Sequence, residues 1–95
     1  MGETIEETRH IYEKAMALMD EREKDYECSW REEGLDCMIG SLYKKGSQLR
    51  TMLGNGRLRE NTKRTKEDIL DNINYGILAY RHLELEEMEE QSSRQ

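Results

Sequence analysis

Ninety-five residues with 35% apolar content, no phenylalanine and a mean hydropathy of −1.04 make one domain with little apolar surface to close a core alone. No apolar run approaches the roughly 20 residues of a membrane span, and the acidic N-terminus lacks the basic and apolar regions of a secretory leader. Cys28 and Cys37 are too few for a disulfide framework, so a reduced, cytoplasmic chain that shares its core in a homo-oligomer is expected.

The net charge of −6 hides an asymmetry. Residues 1–36 hold 12 acids against 5 bases, residues 37–66 hold 8 bases against Glu60 alone, and residues 67–95 hold 8 acids against 2 bases. The basic middle either neutralises the acidic flanks or meets an anionic ligand. A pI near 5.0 argues against duplex DNA, whose phosphates call for a clear excess of cations.

In chain order, Thr4-Ile5-Glu6-Glu7 fits a capping box, and Ile5, Thr8, Ile11, Tyr12, Ala15, Leu18, Met19 and Arg22 recur at helical spacing. The spacing predicts a helix over about 4–24. Ser29-Trp30-Arg31-Glu32 is a second capping pattern at the corner, and Gly34 separates it from the next apolar stripe. Leu35, Met38, Ile39, Leu42, Leu49, Met52 and Leu53 predict a second helix over about 35–53, finished by Gly54-Asn55-Gly56. Residues 54–64 read as a basic loop. Thr65 is the expected cap of a third helix over about 65–90, with Ile69, Ile73, Gly76, Ile77, Tyr80 and Leu83 as its buried face and a fraying acidic end. No strand pattern competes. The expected fold is all-α: a three-helix subunit of the helix-hairpin type over 1–95, dimerising into a bundle.

Several residues are placed for chemistry. Lys45 lies beside the stripe of the second helix, where its ammonium either snorkels to water or enters a cleft to hold a phosphate or carboxylate. Arg50, Arg57 and Arg59 can join it with bidentate contacts, and Lys44, one step round the helix, is expected in solvent. Asp68 and Asp71, three residues apart, face one way, with Asn74 continuing the line and Tyr75 beside it. Such a pair can share magnesium or pair with the basic second helix. From Cys37 to Leu53 there is no Asp or Glu to complete a two-metal site, leaving Asp25, Glu21 and Glu32 as recruits. Trp30 is either a core residue filling the corner or, with Tyr26, a platform for a flat ring. The two histidines and two cysteines lack zinc spacing, and no phosphate-cradling glycine loop is present.

Lys24-Asp25-Tyr26, Ser29-Trp30, Lys45 with Leu49, then Asp68, Asp71 and Ile73-Asn74-Tyr75 resemble, in order and spacing, the nucleotide-modification-associated domain family of small all-helical phage and prophage proteins. That family is distantly similar to the MazG-type all-α nucleoside triphosphate pyrophosphatases. The likeness spans roughly residues 8 to 83 and points to Asp25, Tyr26, Trp30, Lys45, Asp68, Asp71 and Asn74. Glu27 stands where the family pattern commonly has glycine, and Gln48 where an arginine often follows the lysine. The MazG-type enzymes carry E-x-x-E on the helix that is basic here, a departure that weighs against hydrolysis more than against binding. The resemblance implies a phage-type protein, acting in host cytoplasm. Together with the expected homo-oligomer and the place of Arg50 near Lys45, the expected role is capture of a nucleotide or a cyclic or ADP-ribose-derived signal between subunits, without cofactor, through Asp25, Tyr26, Trp30, Lys45, Arg50, Asp71 and Asn74. The alternative is a magnesium-dependent nucleoside phosphate pyrophosphohydrolase with Asp68 and Asp71 on the metal. A third reading, an acidic interaction module, rests on acidity alone.

Overall fold

The computed structural model describes the backbone of residues 2–94, and the side chains of these residues other than 23–30, 33, 93 and 94. Among the described residues the chain is all-helical: α1 (Gly2–Glu21), α2 (Glu23–Gly54) and α3 (Thr62–Arg94), with no strand. No helix among them is long and apolar enough to cross a membrane.

The helix boundaries differ from expectation for local reasons. Helix α1 already runs from Gly2, so Thr4 lies inside it, and its carbonyl accepts the Thr8 hydroxyl at 2.7 Å. The corner expected over residues 25–34 contracts to Arg22 (φ −100°, ψ 10°), whose N–H still donates to the Leu18 carbonyl at 3.0 Å. The backbone is helical again from Glu23, and Gly34 interrupts it with φ 79° and ψ −172°. Side chains other than hydrogen rarely tolerate that conformation, so the break expected at Gly34 has its cause in the residue type.

At the far end of α2, only Gly56 takes a left-handed conformation (φ 78°). The N–H groups of Arg57 and Leu58 both donate to the Met52 carbonyl, at 2.9 and 3.1 Å, which satisfies the last turn. The cap of α3 is Asn61 and not Thr65: the Asn61 Oδ1 accepts the Arg64 N–H at 3.1 Å. Thr65 is buried in the first turn of α3, where its hydroxyl donates to the Leu58 carbonyl at 2.8 Å and ties the connection down. The expected loop over 54–64 is thereby shortened to 55–61.

Helices α2 and α3 run in opposite directions. Lys45 sits beside Asp68, Leu42 beside Gly76, and Met38 packs with Leu78 and Ala79. Met19, Leu35, Cys37, Leu42, Tyr75 and Leu85 surround that small core, and Ala15 of α1 is buried near Asn74.

Helix α3 overturns one expectation in large part. Of the stripe read as its buried face, Ile69, Ile77, Tyr80 and Leu83 are exposed, while Ile73 and Gly76 are half-buried. The chain instead buries Asp71, Asn74, Leu78, Ala79 and His82, a second line at three- and four-residue steps on the other side. That side is polar, but its charge and amide find partners on α1 and α2, so it can face inward. The molecule is correspondingly extended, with a radius of gyration of 15.9 Å. A compact chain of this length has about 12 Å.

Candidate functional site

Two carboxylates one turn apart on α3 meet two cations from elsewhere. Lys45 Nζ on α2 lies 3.4 Å from Asp68 Oδ1 and 3.9 Å from Asp71 Oδ2. Arg22, at the α1–α2 junction, donates from Nη1 to Asp71 Oδ1 at 2.5 Å. Asp71 therefore has a countercharge on each oxygen, which is what lets it be buried. Lys45 is only 29% exposed in its side chain, held against α3 and not released to bulk water.

One turn beyond Asp71, Asn74 is fully enclosed. Its Nδ2 donates to the Ala15 carbonyl at 3.1 Å and fastens α1 to α3, while its Oδ1 has no hydrogen-bond partner among the described residues.

Lys45 also lines a hollow of about 210 Å³ between α2 and α3, with Ser41, Lys44, Gln48 and Tyr75. Gln48 is shared with a larger hollow of about 550 Å³, whose wall includes Thr51 and Met52 and sets the cations Arg57 and Arg64 among the carboxylates Glu60 and Asp68. Positions 41, 44, 45, 48, 51 and 52 follow three- and four-residue steps on one side of α2. The two hollows are thus lengths of one trough running about 16 Å, at 1.5 Å per residue. Cations stand at both ends, Lys44 and Lys45 at one and Arg57 and Arg64 at the other. Lys44, Arg57 and Arg64 form no side-chain ion pair among the described residues, unlike Lys45. A third hollow of about 340 Å³ lies against the other side of Asp68 and Asp71, lined by Arg22, Lys63 and Arg64.

Chemically, the trough presents ammonium and guanidinium groups for anionic oxygens. Tyr75 supplies a ring for stacking, and Ser41 and Gln48 provide both donors and acceptors. The trough is formed within one chain, whereas the sequence led us to expect a site between subunits.

Of the residues singled out from sequence, Lys45, Asp68, Asp71 and Asn74 converge at the α2–α3 contact. Arg50 does not join them; it is exposed and stands outside the trough. The side chains of Asp25, Tyr26 and Trp30 lie outside the described residues. As magnesium ligands, Asp68 and Asp71 are adjacent, but their oxygens face Lys45 and Arg22. Among the described residues no group of three His, Cys, Asp or Glu side chains is placed to hold a metal.

Sequence reasoning passed over Ser41, Arg64 and Gln48 as lining groups, left Lys44 to solvent and noted Tyr75 only as a neighbour. A usable signal was present: the polar positions of α2 recur at helical spacing beside its apolar stripe. Comparison with protein-family models, with curated proteins and with solved structures gave no match.

Proposed function

We propose that this protein binds a nucleotide or a nucleotide-derived signal of the cyclic or ADP-ribose type in the α2–α3 trough and holds it without chemistry. The reading rests on one observation above the rest: Lys44 at one end and Arg57 and Arg64 at the other, without ion-pair partners among the described residues, flank a trough that has Tyr75 on its wall. A ligand with a phosphate at each end and a ring along its length suits that spacing. Lys44 neutralises one phosphate, with Lys45 beside it still shared with Asp68 and Asp71, and Arg57 and Arg64 take the other, arginine being able to bond two oxygens at once.

The sequence resemblance to the nucleotide-modification-associated domain family supports the ligand class. It also suggests a phage setting, in which sequestering a host defence signal in the cytoplasm is the concrete role. The working form in this reading is a homo-oligomer of helix-hairpin subunits packed into a bundle.

Titration calorimetry against cyclic nucleotides, dinucleotides and ADP-ribose derivatives tests the proposal. Lys44→Ala or Arg64→Ala is expected to weaken binding about 10- to 100-fold, or about 1.4–2.7 kcal/mol. Unchanged affinity in both variants, or no binding across the panel, sinks it. Recovery of intact ligand after long incubation with magnesium separates capture from pyrophosphohydrolysis. The hydrolytic alternative has less behind it, because both candidate metal-binding carboxylates already carry protein countercharges.

A further inference from the structure

The outward stripe of α3 reads the same from either end. Lys66, Ile69, Ile73, Ile77, Tyr80 and Glu84 are spaced by three, four, four, three and four residues and so lie along one side of the helix. Reversing the helix about the level of residue 75 places Lys66 opposite Glu84, Ile69 opposite Tyr80 and Ile73 opposite Ile77. We propose that this stripe is the interface with a second copy of the chain, two α3 helices packing antiparallel across a two-fold axis at the level of residue 75, between Ile73 and Ile77. This gives a location to the homo-oligomer proposed above. It leaves the trough open, because Asp68 and Tyr75 face α2 from another side of α3.

Three observations select a copy of this chain as the occupant. First, the pattern is self-complementary in both shape and charge, as a two-fold interface requires. Secondly, beside the basic end of the stripe lies a hollow of about 560 Å³. It has Ile11, Ile69 and Leu70 as apolar walls and Lys14, Lys63 and Lys66 around it. An antiparallel partner brings its own α3 C-terminal turns there, with exposed Met88 for the apolar walls and Glu87 for the lysines, beside Glu84, which within its own helix pairs with Arg81 at 3.3 Å in an exposed contact.

Finally, the area fits. The chain exposes 7769 Å², whereas a folded monomer of 11.3 kDa exposes about 5,700 Å². The excess of about 2,000 Å² is on the order of what one subunit of an obligate dimer covers.

Sedimentation velocity on the whole chain at tens of micromolar tests the assignment. The wild type is expected at twice 11.3 kDa, and Ile77→Glu to raise the dimer Kd more than 100-fold. Tyr80→Glu, at a side chain 69% exposed within the subunit, is expected to do the same and serves if Ile77→Glu loses helicity by circular dichroism. Ile39→Glu, at an exposed apolar residue of α2, is expected to leave the dimer intact. Lys66→Glu and Glu84→Lys each weaken it about tenfold, and together return it to within a few-fold of wild type. A monomeric wild type at 100 µM, dimers unaffected by both stripe variants, or a double charge reversal no better than the singles overturns the proposal. Calorimetry on the monomeric variant reads ligand binding separately, so loss of the dimer and loss of the ligand are distinguishable.

Discussion

Asp71→Asn removes one negative charge from the point where all three helices meet. The Asp71 side chain is 10% exposed, against 40% for Arg22 and 29% for Lys45, so the cluster is neither a surface pair nor a fully dry one. Exposed pairs contribute about 0.2–1 kcal/mol, and breaking a buried pair costs about 3–5 kcal/mol. Discounting for the water that still reaches Arg22 leaves about 2 kcal/mol for Asp71→Asn. For a chain of this size that lowers Tm by about 8–16 °C. Asp68→Asn is the internal control. Among the described residues Asp68 has one ion-pair partner, Lys45 at 3.4 Å, with both side chains about a quarter exposed, and its loss is expected to cost about 0.5–1 kcal/mol. Urea unfolding followed by circular dichroism, at one fixed protein concentration because association adds to apparent stability, reads both values. A second arm tests the cause. Replacing Arg22 by Met and Asp71 by Leu together is expected to restore most of the stability lost by Asp71→Asn, since no charge is then left buried without its partner. An Asp71→Asn variant no weaker than Asp68→Asn would refute the reasoning.

Local geometry sets three further outcomes. Asn74→Ala is expected to cost about 1–3 kcal/mol through the lost bond to the Ala15 carbonyl, and Asn74→Asp more, because a carboxylate oxygen then faces that carbonyl in an enclosed site; urea unfolding ranks them. Gly34→Ala is expected to destabilise by about 1–3 kcal/mol, given the backbone conformation that residue holds. Gly40→Ala is expected to stabilise by about 0.5–1 kcal/mol, since Gly40 is helical and exposed and nothing lies within 4 Å of the added methyl; thermal melts of the two variants should move in opposite directions.

Particular elements show what could be read in advance and what could not. The apolar periodicities located three helices, and Gly34 announced its own break through a conformation that belongs to glycine. Caps were less legible: Thr65 and Asn61 are both good N-cap residues, and only the path of residues 55–61 decided that Asn61 caps while Thr65 fastens Leu58. Lys45 and the Asp68/Asp71 pair were recognisable as candidates by type and spacing. Their mutual engagement, and the addition of Arg22 from a site 49 residues away, depended on how the helices cross. Arg50, equally basic, emerged outside the trough because its turn of α2 carries it away from α3.

The sequence by itself determined the helices, the uneven charge and the two-sided character of α3, because these depend on residue type at a fixed helical period. Only the tertiary structure decided which side of α3 turns inward. Two lines of residues compete for that position, one apolar and one polar. The more polar line goes inside because its Leu78 and Ala79 pack with Met38 there, while Arg22, Lys45 and the Ala15 carbonyl, drawn from distant parts of the chain, pair the Asp71 carboxylate and the Asn74 amide N–H. Periodicity records which residues share a side of a helix. It carries no information about the partners that make burying that side favourable.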